Sequence, residues 1–157
     1  MRSILFICMG NICRSAAAEG VMKKLIDDKN LSNMFFIDSA GTINYHEGEN
    51  ADKRMIYHAT KRGYDITSIS RPLNKEDYNK FDLIIVMDDE NYKTVINRCP
   101  DKLLYKKIMY MTDFCTIHSD KIVPDPYFGG EKGFENVLDL LEDACSGLLM
   151  KLISNKI

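Results

Sequence analysis

The sequence predicts an α/β fold built on a parallel sheet, and three observations carry that reading. Short apolar runs alternate with segments of helical periodicity along the whole chain, which is the pattern of βαβ units. Four such runs stand out, and the first, residues 4–7, is continuous rather than alternating apolar with polar, as in a strand buried on both faces. The chain has 157 residues, 45% of them apolar and 28% charged, enough for one domain with its own core. No repeat, low-complexity tract or Gly/Ser/Pro linker divides it, so residues 1–157 read as a single domain with a four-stranded parallel sheet flanked by helices. The crossovers are expected to be right-handed.

The elements follow in order. Residues 4–7 are Ile-Leu-Phe-Ile, a buried strand. A loop containing Gly10 and Asn11 leads to Ser15, which precedes three alanines and Glu19 in the manner of an N-cap. Val21, Met22, Leu25 and Ile26 recur at helical spacing, placing a helix over about residues 16–28. Residues 34–37 read as a second strand, followed by a polar loop with Gly41, Asn44 and Gly48. Met55, Ile56, Ala59 and Thr60 mark a second helix that Gly63 stops. Residues 81–87 form the clearest strand, a helix follows over about residues 91–97, and residues 107–111 supply the fourth strand. Phe134, Val137, Leu138, Leu141, Cys145, Leu148, Leu149 and Leu152 share one face of a long final helix.

Composition excludes several classes. A formal net charge of -2 argues against nonspecific nucleic-acid binding. No apolar run approaches the ~20 residues of a membrane span, and the N-terminal run is too short for a secretory signal. Five cysteines without framework spacing fit reduced thiols and a cytoplasmic location. His46, His58 and His118 have no ligand spacing relative to them, so no zinc site is expected.

The chemistry concentrates between the first strand and the first helix, in Cys8-Met9-Gly10-Asn11-Ile12-Cys13-Arg14-Ser15. Ligands of open α/β sheets bind at the carboxyl ends of strands. A helix N-terminus there offers free N–H groups and partial positive charge to an anion. Gly10 and Asn11 tolerate a left-handed backbone, which lets consecutive N–H groups converge. Cys8 would face the anion, and the helix end and an arginine favour its thiolate form. Arg14 presents a planar fork that grips two phosphate oxygens. Phosphoryl transfer to Cys8 is the chemistry this suggests; a plain buried thiol is the alternative, because Cys-x5-Arg by itself is a weak signal. Such a reaction needs an acid for the leaving oxygen. Asp125, clamped between Pro124 and Pro126, is the candidate, and a rigid turn is the alternative.

These residues resemble those of the low-molecular-weight protein tyrosine phosphatase family. The loop matches the family's C-L-G-N-I-C-R-S signature at seven of eight positions, and Val123-Pro124-Asp125-Pro126-Tyr127 resembles its late acid loop. Asp38-Ser39-Ala40-Gly41-Thr42 and the segment over residues 81–88 resemble further landmarks, in the right order over essentially the whole chain. The resemblance implies flavodoxin-like winding and hydrolysis of phosphotyrosine and small aryl phosphates. Cys8 would form a phosphocysteine, Arg14 and the loop amides would bind phosphate-like oxyanions, and Asp125 would act as general acid and then base. Ser15 would assist the sulfur of Cys8, and Asn11 and Ser39 would support the loop. Ile12, Tyr45 and Tyr127 would line the substrate pocket, and Cys13 would be a possible redox partner of Cys8. The resemblance implies no metal, no cofactor, phosphotyrosine proteins as substrates and a mostly monomeric state.

The chain also departs from the pattern. Ser68 stands where the family often has a histidine against the loop asparagine, and so short a side chain would need a bridging water to reach Asn11. Ala16 replaces a common proline, and Phe128 replaces a tyrosine, leaving Tyr127 alone in that pair. Cys99, Cys115 and Cys145 read as structural. Asp88-Asp89-Glu90 reads as a helix-start charge cluster in preference to a pocket role for Asp88, and Glu47 and Glu49 read as solvated surface.

Two activities on the same fold compete. Arsenate reduction needs resolving thiols, expected over residues 82–90, where the chain has none. Protein arginine phosphatases carry threonine at the position of Ile12, and isoleucine suits a phenyl ring better. A non-catalytic phosphate-binding module would be the reading had Cys8, Arg14 or Asp125 been missing.

Overall fold

The computed structural model describes the backbone of residues 1–157 and every side chain except that of Phe128, so the expectation placed on Phe128 lies outside the described side chains. Four strands, β1 (Arg2–Cys8), β2 (Phe35–Gly41), β3 (Leu83–Val86) and β4 (Ile108–Tyr110), pair in parallel in the order β2-β1-β3-β4. The helices are α1 (Arg14–Asp28), α2 (Lys53–Lys61), α3 (Asp77–Lys80), α4 (Asp89–Arg98) and α5 (Gly130–Ile153).

β1 explains why its sequence is continuously apolar. Ile4, Phe6 and Cys8 face one core with Val21 and Met22 of α1 and Leu138, Leu141 and Leu148 of α5. Leu5 and Ile7 face the other, with Tyr78, Phe81 and Val95. Period-two alternation thus buries every residue from Ile4 to Cys8 in a central strand covered on both faces. Ala16, Ala17 and Ala18 are fully or almost fully buried, and such short side chains let α1 lie close to the sheet. α5 packs as tightly on the segment Met111–Phe114: a Cβ on Gly147 would fall 1.9 Å from the Phe114 carbonyl oxygen.

The structure shifts several sequence boundaries. α1 begins at Arg14 with Cys13 at its N-cap and no side-chain cap, so Ser15 does not cap it. β2 continues four residues past Ile37 to Gly41, because its polar residues Asp38 and Ser39 have partners at the site. β3 is shorter than the apolar run, as Phe81 and Met87 flank it rather than pair. Gly63 does stop α2, at a φ of 87°. The four-residue α3 and three short 3-10 segments carry no long periodic pattern and were not expected.

Strand order decides where a ligand can sit. The connections leaving β1 and β3 run in opposite directions from neighbouring strands, which opens a crevice at their carboxyl ends. The loop after β1 and the start of α4 after β3 both enter it.

Candidate active site

The loop after β1 is shaped by where its carbonyl groups go. Those of Cys8, Met9, Gly10, Ile12 and Cys13 accept bonds from the Thr42, Ile43, Ser70, Asp52 and Ala17 donors at 2.8–3.1 Å. With the carbonyls tied outward, the N–H groups are left to face the concavity, a geometry that binds anions. Asn11 makes the turn with a φ of 57°. Gly10 does not share that conformation; its lack of a side chain matters because a Cβ there would meet the His46 ring at 3.1 Å. Gly41 at the end of β2 leaves room from behind, since a Cβ would stand 2.7 Å from the Met9 carbonyl oxygen.

Arg14 is 3% exposed. Its Nη1 donates to Asp88 Oδ2 at 2.6 Å and to the Val123 carbonyl at 3.0 Å, and its Nη2 lies 3.8 Å from Asp125 Oδ2. Burial opposes the Arg14 charge, but Cys8, Asp88 and Asp125 outweigh it and raise the guanidinium above its ordinary range. The pocket role of Asp88, set aside on sequence grounds, is therefore real. Asp88 both pairs with Arg14 and caps α4 by accepting from the Asn91 N–H at 2.8 Å. A charge cluster at a helix start and a half-buried partner of a buried arginine look the same in sequence.

The segment carrying Asp125 is tied to the sheet by the Val123 N–H, which donates to the Met87 carbonyl at 2.8 Å. Asp125 accepts from the Tyr127 N–H at 3.0 Å, and its side chain is 34% exposed.

Polar side chains hold the loop from below. Asn11 Nδ2 donates to Ser15 Oγ at 2.8 Å and to Ser39 Oγ at 3.0 Å. Ser15 Oγ lies 3.0 Å from Cys8 Sγ; because it accepts from Asn11, its own proton is free to point at sulfur. Ser39 passes its proton to the buried Glu19 at 2.6 Å, so the glutamate read with Ser15 as part of an N-cap signal serves this network instead. Asn11 Oδ1 accepts from the Arg71 N–H at 3.0 Å. This corrects the expectation for Ser68: main chain, not a water on Ser68, completes the asparagine. Ser68 Oγ is buried with no partner among the described residues. Arg71 is itself gripped by Asp38 and Asp77.

The pocket above the loop has a volume of about 220 Å³, and Cys8, Ile12, Cys13, Arg14, Asp125 and Tyr127 line it. Tyr45, 80% exposed, forms an outer wall with Ile43 and His46. The structure thus brings together every pocket residue expected from sequence and adds Ile43 and His46. His46 packs edge-on against Tyr45 and bonds Glu49 at 2.5 Å, so Glu49 is more than solvated surface. Burial, then nearby Asp52 and Cys8, push the Cys13 thiol well up, which keeps it protonated beside Cys8. Cys145 is buried on α5, whereas Cys99 and Cys115 are half-buried. Among the described residues no group of three or more His, Cys, Asp or Glu is placed to hold a metal ion.

A thiol at the end of a central strand, in a loop of inward N–H groups closed by a buried arginine, defines the class of cysteine-dependent phosphoryl-transfer folds. Comparison with known proteins narrows the class. The profile of the family "Low molecular weight phosphotyrosine protein phosphatase" matches residues 3–156. A putative low molecular weight protein-tyrosine-phosphatase of Synechocystis is 45% identical over 149 residues, covering 95% of each chain. A crystal structure of a protein tyrosine phosphatase from Entamoeba histolytica, with Hepes in its active site, superposes with a TM-score of 0.97 at 50% identity, covering 100% of both chains. At 27% identity, a Drosophila arginine phosphatase superposes with a TM-score of 0.89, covering 97% of this chain and 98% of its own. The chain belongs to the low molecular weight phosphotyrosine protein phosphatase family. Among the described residues no helix is long and apolar enough to cross a membrane.

Proposed function

We propose that the protein hydrolyses phosphotyrosine in proteins, and small aryl phosphates, through a phosphocysteine on Cys8. The observation that carries this is the meeting of Cys8, Arg14 and Asp125 in one pocket with tyrosine walls. The phosphoryl oxygens occupy the loop N–H groups and the Arg14 fork, which supply the positive field for the transition state. The Cys8 thiolate attacks phosphorus; the S–P bond forms as the P–O bond to the ring breaks. Asp125 gives its proton to the departing phenolate oxygen. The resulting carboxylate then takes a proton from water as that water attacks phosphorus. The S–P bond breaks, phosphate leaves, and Ser15 donates to the returning thiolate. Tyr45 and Tyr127 flank the substrate ring, with Ile12 beneath it. Asn11 and Ser39 hold the loop. Cys13, in the same pocket, is the thiol that would pair with Cys8 under oxidation.

A second reading, phosphoarginine hydrolysis, is favoured by the fold match to the Drosophila enzyme. Ile12 opposes it, because an apolar side chain at the pocket floor offers nothing to a guanidino leaving group. The assay that separates them presents phosphotyrosine and phosphoarginine peptides side by side with a chelator, and Cys8→Ser as control. Preferential release from phosphotyrosine, absent in Cys8→Ser, is expected. Preference for phosphoarginine would reverse the substrate assignment, and no release from either by the folded protein would overturn the activity.

A further inference from the structure

Arg54 stands in the first turn of α2, outside the lining of the pocket. Its contacts nevertheless lead to both loops of the site. Nη1 donates to the Tyr127 carbonyl at 3.2 Å. The guanidinium lies over two rings, with its carbon 5.0 Å from the centroid of Tyr127 and 4.9 Å from that of Phe134. Nε and Nη2 bind the two oxygens of Asp52 at 3.1 and 2.9 Å, and the Asp52 N–H donates to the Ile12 carbonyl at 2.8 Å. One planar cation thus hydrogen-bonds Asp52 and the Tyr127 carbonyl while lying within cation–π distance of two rings, a combination that lysine cannot reproduce.

The consequence lies in the Tyr127 peptide. Its N–H holds Asp125 Oδ1, while its carbonyl and ring are held by Arg54. Asp125 itself is part-exposed, and its described anchors in the site are that N–H and the distant Arg14. We propose that Arg54 is a positioning residue for the general acid: acting through Tyr127, it fixes the Asp125 carboxyl over Cys8 and ties the acid loop to the phosphate loop through Asp52. As a bare exposed ion pair with Asp52, Arg54 would be worth little; its value comes from orientation, which matters most where a proton must arrive in line. The proposal rests on Asp125 being the acid.

The test uses substrates whose leaving groups differ in their need for a proton. Arg54→Met keeps the stem and removes the fork. It should lower kcat/KM for phenyl phosphate about tenfold, part of the ~10²–10⁴ that general-acid catalysis supplies, and leave dinitrophenyl phosphate within about twofold. Competitive inhibition by inorganic phosphate should be unchanged, which shows an intact phosphate loop. Arg54→Lys, which keeps a donor and a cation near the rings, should fall between wild type and Arg54→Met. In an Asp125→Ala background, Arg54→Met should add no further loss. Equal losses for both leaving groups, weaker phosphate inhibition, or a full additional loss in the Asp125→Ala background would each overturn the proposal. If Asp125→Ala by itself shows no dependence on the leaving group, the acid assignment falls and this proposal with it. If Asp125→Ala shows the dependence and Arg54→Met does not, only the role of Arg54 falls.

Discussion

Asn11 concentrates three jobs in one residue. Its backbone makes the left-handed turn, its amide donates to Ser15 and Ser39, and its carbonyl oxygen accepts the Arg71 N–H. Replacing it with alanine strains the turn and frees Ser15 and Ser39 at once. Asn11→Ala should therefore cut kcat/KM at least about tenfold, the equivalent of one buried hydrogen bond or more. Ser68→Ala removes an orphan hydroxyl from the same neighbourhood. It should leave kinetics unchanged and stability within about 0.5 kcal/mol of wild type, or slightly above it. Steady-state kinetics with urea titration checks both, and a large catalytic loss in Ser68→Ala would contradict the wiring through Arg71. At this scale the sequence showed the chemistry but not the connections. Cys8, Arg14 and Asp125 stand out by residue type and position, but their spacing alone is a weak signal, and it is the family resemblance that favours a catalytic reading over a buried thiol and a rigid turn. The Asp88–Arg14 pair and the bond from Arg71 to Asn11 join residues 74 and 60 apart in the chain, and nothing local distinguishes such an aspartate from a helix cap.

At the scale of elements, the loop after the segment Met111–Phe114 is pinned to α5 by Asp143. This side chain, 2% exposed, accepts from the Thr116, Ile117 and His118 N–H groups and from the His118 ring. Burial opposes its charge, but those donors outweigh it and hold the carboxyl well below the usual carboxylate range. A depressed carboxyl contributes stability that is complete above its unfolded value, near pH 3.9, and is lost as pH falls toward the folded value. Wild-type stability should thus decline between about pH 5 and pH 2. Asp143→Asn should cost about 2–3 kcal/mol at neutral pH by leaving buried donors unpaired, with the gap narrowing in acid. Urea titrations across that range decide it, and a gap independent of pH would contradict the assignment. His118 was legible only as a histidine without a zinc partner, since its role depends on α5 returning beside it. The long helix itself was readable, because twenty-odd residues of one-sided apolar spacing leave little choice.

Over the whole molecule, the parallel α/β sheet is legible from the alternation of apolar runs and helical spacing, the pattern of βαβ units. The strand order β2-β1-β3-β4 was not legible from periodicity; it came only with the family resemblance. Order is what places Arg14 and Asp88, the groups after neighbouring strands β1 and β3, across one crevice. The short α3 and the 3-10 turns were invisible because they follow tertiary packing rather than any period. The fold's central claim is chemical: the crevice holds a cysteine that carries the phosphoryl group. The most direct measurement is acid quench of the Asp125→Ala enzyme during turnover of dinitrophenyl phosphate, whose leaving group needs no proton, followed by mass spectrometry of its peptides. The slowed second step should let one added phosphoryl group accumulate on the peptide containing Cys8, and it should be absent in Cys8→Ser. Turnover with no such adduct, or with the phosphoryl group on any other residue, would contradict the account.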